Sequence, residues 1–114
     1  MKDCLFCKII NKELSASIIA ENEQIIVIKD IYPKAPIHYL IIPKKHITDI
    51  TGFSDSDRAL AGNLLLMGKQ LAQSLSEPKA FRLVVNNGAD AGQVIFHSHL
   101  HFLAGLKSNH NLAL

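Results

Sequence analysis

The chain has 114 residues, 48% of them apolar, with no Trp and a net charge of +2. That length suits one domain over residues 1–114, burying about two-thirds of its unfolded surface. No apolar run approaches the roughly 18 residues of a membrane span. Lys and Arg are scattered, which argues against an extended nucleic-acid surface and leaves room for a local phosphate pocket. The first residues carry neither a secretory apolar core nor an Arg-rich transit pattern. A cytoplasmic place is expected, where Cys4 and Cys7 stay reduced.

In chain order, Cys4 to Asn11 reads as one short helix with Phe6, Ile9 and Ile10 on a common side. Ser17 to Ala20 and Gln24 to Lys29 read as a hairpin, with Asp30 closing the second strand. The two prolines of Ile31-Tyr32-Pro33-Lys34-Ala35-Pro36 make that stretch a loop. His38 to Ile42, apolar apart from His38, suits a central strand that Pro43 ends.

Ser54 is a good helix N-cap, with Asp55 and Asp57 complementing the dipole. Leu60, Leu64, Met67, Leu71 and Leu75 then keep one stripe. Ala61, Leu65, Leu66 and Ala72 widen it beyond one sheet face, a hint of subunit contact. Ser76-Glu77-Pro78 stops the helix, and Phe81 to Asn86 is a strand. Asn87 to Gln93 is a loop tolerant of positive φ, and Val94 to Leu103 is expected to be the fifth strand. The tail from Ala104 to Leu114 shows no periodicity.

Chemistry concentrates in His97-Ser98-His99-Leu100-His101, which holds half of the six histidines. On a strand the three rings would share one face, about 7 Å apart. A lone His on a strand is usually a satisfied polar group. Three in alternation point either to a metal site or to a phosphoryl site with one imidazole attacking. Gly88-Ala89-Asp90-Ala91-Gly92-Gln93, with free amides and the side chains of Asn86 and Gln93, favours phosphate. Cys4-Leu5-Phe6-Cys7 has the spacing of a metal half-site; two reduced cysteines beside a short helix are the plainer alternative.

The run His97-Ser98-His99-Leu100-His101-Phe102-Leu103 resembles the motif of the histidine triad superfamily. Phe6-Cys7-Lys8-Ile9-Ile10, Asp30 to Pro36, His38, Ile42-Pro43-Lys44-Lys45-His46 and Val84-Val85-Asn86-Asn87-Gly88 resemble its nucleotide-binding Hint branch. The resemblance implies an α+β fold with a five-stranded antiparallel sheet, continued across a homodimer. It implies hydrolysis of purine nucleoside 5′-monophosphoramidates to a nucleotide such as AMP and an amine, with no organic cofactor.

By position, His99 would be the nucleophile, His101 would hold phosphate oxygens, and His38 would belong to the imidazole network that keeps His99 in the attacking tautomer. Asn86 and Gln93 match phosphate positions, Asp30 the ribose acid, and Phe6, Ile9, Leu14, Ile28 and Ile31 the base slot, though those five also suit ordinary core. Cys4, Cys7, His46 and His97 match a structural zinc set, which would take His97 away from the phosphate.

Two positions depart from the pattern. Val94 stands where many Hint proteins carry a serine on the phosphate or leaving group, and Ser98 replaces an apolar residue. A purine-nucleotide binding or sensor protein with little turnover, and a dinucleoside polyphosphate hydrolase of the Fhit type, are the competing readings.

Overall fold

A computed structural model describes residues 3–77 and 79–106. Helix α1 spans Leu5–Ile10 and helix α2 spans Arg58–Gln73. The strands are β1 (Ile18–Glu21), β2 (Ile25–Lys29), β3 (Ile37–Pro43), β4 (Phe81–Val84) and β5 (Leu100–Ala104). They form one antiparallel sheet in the order β1-β2-β3-β5-β4. The expected α+β fold, with five strands and one long helix, is therefore present. The tail from Lys107 on, and Pro78 of the helix stop, lie outside the described residues.

Alternation divides the core between the two faces of the sheet. Ile25, Val27, Ile41 and Phe102 pack with Leu60, Leu64, Met67 and Leu71 of α2. Ile26, Ile28, Leu40 and Ile42 pack on the other face with Phe6 and Ile9 of α1. Because β2 and β3 bury residues facing both ways, they read as apolar runs with little alternation.

Local chemistry sets the turns and ends. Asn22 Oδ1 accepts the amides of Gln24 and Ile25 at 2.9 Å each, closing the β1–β2 hairpin as an Asx turn. Asp57 Oδ2 accepts the Ser54 amide at 2.9 Å and fixes the entry to α2 through a 3-10 turn over Asp55–Asp57. Leu75 lies past the end of α2 yet is still buried.

The histidine strand is shorter than the sequence suggests. Leu100 pairs with Ile41, so continuing the register would place Ser98 opposite Pro43, which has no N–H to give the ladder. The Ser98 amide turns instead to the Ile47 carbonyl at 2.6 Å. Only His101 therefore stands on β5; His97 and His99 lie in the irregular segment before it.

Candidate active site

His97 is fully buried. Its Nε2–H donates to the Pro43 carbonyl at 2.7 Å, so Nδ1 keeps its lone pair. That lone pair faces Cys4 Sγ at 3.4 Å and Cys7 Sγ at 3.6 Å, and Cys7 Sγ lies 3.3 Å from His46 Nδ1. The four donor atoms are all within 4.8 Å of one another. A tetrahedral zinc with Zn–S of about 2.3 Å and Zn–N of about 2.0–2.1 Å sets sulfur and nitrogen about 3.5 Å apart. The donor set fits zinc in both spacing and chemistry, and the Pro43 carbonyl acts as the outer partner that orients a ligating imidazole.

His99 is also buried, and its Nδ1–H donates to the main-chain oxygen of His97 at 2.8 Å. Burial, the largest effect, holds its pKa below the ordinary value, so the ring is neutral near pH 7. With the proton on Nδ1, the lone pair is on Nε2. Phe6 packs against the ring in a T-shaped contact at a centroid distance of 5.1 Å.

His38 and His101 form a chain of fixed polarity. His38 and His101 are diagonal neighbours on β3 and β5, and His38 Nε2 lies 2.9 Å from His101 Nδ1. The Lys34 amide donates to His38 Nδ1 at 3.1 Å, which puts the proton of the neutral ring on Nε2. That proton bridges to His101 Nδ1 and leaves His101 with an outward Nε2–H donor. Burial lowers both pKa values, that of His101 to about 4, with the His99 and His38 rings adding to its shift.

Asp30 Oδ2 lies 3.4 Å from His38 Nε2, and its Oδ1 accepts the Tyr32 amide at 2.8 Å. Asp30, His38 and His101 also bring three donor atoms together. Here the Lys34 amide occupies the nitrogen that would have to carry the proton if His38 Nε2 bound a metal. The group is thus arranged for hydrogen bonding, whereas the thiol–imidazole cluster is arranged for a cation.

Three expectations about individual residues change. His38 reaches His101 rather than His99, whose tautomer is set by the His97 carbonyl. Gln93 is buried with its side chain spent on the backbone: Oε1 accepts the Gly88 amide at 2.8 Å, and Nε2 donates to Thr48 and Ile95 carbonyls at 2.8 and 3.0 Å. The glycine loop is less open than expected, because the amides of Ala91, Gly92 and Gln93 bond to the carbonyls of Gly88 and Ala89. Among the described residues, the Asn86 side chain and the Val94 amide make no hydrogen bond.

Of the expected base slot, Phe6, Ile9 and Ile28 share one buried cluster, while Leu14 and Ile31 are exposed outside it. Sequence reasoning missed the Lys34 amide and the Pro43 carbonyl, since backbone groups leave no side-chain signature. The only available signal was Pro43 itself, which ends a strand and frees its neighbour.

A family model, "Scavenger mRNA decapping enzyme C-term binding", matches residues 3–112. An uncharacterized HIT-like protein of Synechocystis sp. is 45% identical over 104 residues, 91% of each chain. A HIT family hydrolase from Legionella pneumophila has a similar structure, with TM-score 0.87 and 46% identity, covering 92% of this chain and 95% of that one. A HIT family hydrolase from Clostridium thermocellum has TM-score 0.91 and 39% identity over 98% of both chains. A histidine triad protein from Clostridium difficile has TM-score 0.89 and 31% identity over 97% of both. With its histidine motif, its five-stranded sheet and these relatives, the chain belongs to the HIT family of hydrolase-like proteins.

Proposed function

We propose that this single-domain protein is a purine nucleoside phosphoramidase of the Hint type, cleaving the P–N bond of a nucleoside 5′-monophosphoramidate. The observation that carries the reading is the 2.8 Å bond from His99 Nδ1 to the His97 carbonyl, which leaves a neutral imidazole with its lone pair on Nε2. His99 Nε2 attacks phosphorus, the P–N bond breaks, and the amine leaves with a proton taken from solvent water. The positive charge that grows on His99 is shared with the His97 carbonyl through Nδ1–H. His101 donates Nε2–H to a non-bridging phosphate oxygen, held in that tautomer by His38 and the Lys34 amide. Water then hydrolyses the nucleotidyl-histidine.

Asp30 retains lone pairs for the ribose hydroxyls. The Asn86 amide and the Val94 N–H serve the phosphate, and Gln93 holds their loop in shape. Ile31 and Leu14 add exposed apolar surface for the base beside the wall of Phe6, Ile9 and Ile28. Cys4, Cys7, His46 and His97 hold a structural zinc, which supplies a crosslink between the N-terminus and the histidine segment. A reducing compartment, the cytoplasm, suits that site. No described helix is long and apolar enough to cross a membrane. Leu65 and Leu66, 60% and 58% exposed on α2, support a homodimer.

One observation favours the nucleotide-binding reading: Val94 is 84% exposed and offers the leaving group no side-chain hydrogen bond. Incubation with an adenosine phosphoramidate and with a diadenosine polyphosphate, for wild type and His99→Ala, separates the readings. Turnover of the first that vanishes in the variant supports the phosphoramidase. AMP binding without turnover supports the sensor, and preferential turnover of the second the polyphosphate hydrolase.

A further inference from the structure

One residue joins the thiol pair to the nucleophile. The side chain of His97 ends between Cys4 and Cys7, and its main-chain oxygen receives the His99 proton. Cys4 is the N-cap of α1, where its sulfur accepts the Cys7 amide at 3.4 Å. Both cysteines are partly exposed, and a cavity of about 290 Å³ lined by Asp3, Cys4, Leu5, Val94, Ile95 and Phe96 opens beside Cys4.

We propose that Cys4 and Cys7 are an oxidation site through which a peroxide loosens the nucleophile. The inference rests on the zinc and His99 roles given above. One thiolate attacks a peroxide oxygen, the O–O bond breaks, and the departing hydroxide takes a proton to become water. The second thiolate displaces hydroxide from the resulting sulfenic acid, which also leaves as water. The sulfur pair has then lost two electrons to the peroxide, an S–S bond has formed, and neither sulfur would remain a ligand for zinc.

Cys4 caps α1 in extended backbone (φ −78°, ψ 118°), outside the helical turns, and a disulfide to Cys7 needs a Cβ separation of about 3.5–4.5 Å. Closing the bond uses both sulfurs and leaves neither as a thiolate ligand beside His97. His97 then keeps the Pro43 hydrogen bond alone and loses the second tether on the residue whose carbonyl orients His99.

The test treats the zinc-loaded full-length protein with one equivalent of hydrogen peroxide, beside Cys7→Ser. Zinc release is read with a chromophoric chelator, the intact mass after denaturation, and the imidazole nitrogens by NMR. The expected result is release of about one zinc per chain, a mass lower by two hydrogen atoms, and loss of the His99 Nδ1–H signature. Nucleotidyl transfer falls by about tenfold or more, and a dithiol with zinc restores every signal. In Cys7→Ser, peroxide leaves the His99 signal where it was; if that variant fails to fold, the dithiol reversal in wild type decides.

A disulfide that forms while the His99 signal and rate stay unchanged overturns the coupling. Oxidation to sulfinic acid without a disulfide overturns the site. Protein that purifies without zinc overturns the metal reading and the expulsion step, and the mass and His99 signal then decide the disulfide. Absence of turnover on any nucleotide strikes the phosphoramidase reading alone, since the zinc, mass and nitrogen signals need no turnover.

Discussion

The main-chain oxygen of His97 takes the Nδ1 proton of His99 at 2.8 Å, while the ring of the same His97 donates to the Pro43 carbonyl at 2.7 Å. One buried residue thus orients two imidazole lone pairs in different directions, its own toward the thiols and that of His99 from Nε2.

Gln93 is expected to matter for stability first and for phosphate affinity second. Gln93→Ala leaves the Gly88 amide and the Thr48 and Ile95 carbonyls without their side-chain partner. A loss of about 2–4 kcal/mol in urea unfolding is expected from the unmade bonds, with a raised KM and a smaller change in kcat. An unchanged unfolding midpoint would show that the loop holds itself.

Acid should weaken the fold before it protonates the site. His101 has a folded pKa of about 4, against about 6.5 in the unfolded chain. Between these values the unfolded state binds the extra proton, so stability is full above about pH 6.5 and falls as the pH drops toward 4. His38 is displaced in the same direction, by burial. Urea midpoints measured across this window should rise with pH in wild type and rise less in His101→Gln; equal slopes would contradict the buried neutral pair.

These features differ in how legible they were. The helix stripe, the hairpin and the succession of elements along the chain follow from periodicity and turn chemistry, and Cys4, Cys7, His46 and His97 do converge. The even spacing of the three histidines suggested one strand, which holds for His101 alone because pairing stops where Ser98 would meet Pro43; the rings still share a side, His99 against His101 and Phe6 against both His97 and His99. Gln93 carries the same carboxamide whether it binds phosphate or its own loop, so only the fold separates these roles. The proton order of the His38–His101 pair depends on the Lys34 main chain, which any side chain at that position would supply.

Zinc is expected at about one per chain by elemental analysis, and Cys4→Ala should release it and lower the melting temperature. Wild-type protein free of metal would sink the assignment.

The exposed Leu65 and Leu66 lead to a prediction about assembly. Replacing both with Glu should convert a dimer into a monomer by light scattering at micromolar concentration, with the far-UV spectrum kept. A wild type that is already monomeric would contradict the dimer.

The most direct measurement is mass spectrometry of protein quenched during turnover of an adenosine phosphoramidate. Wild type should carry one adenylyl group on His99, and His99→Ala should carry none while losing at least about a thousandfold in kcat/KM. An adduct on another residue, or turnover that survives in His99→Ala, would contradict the account.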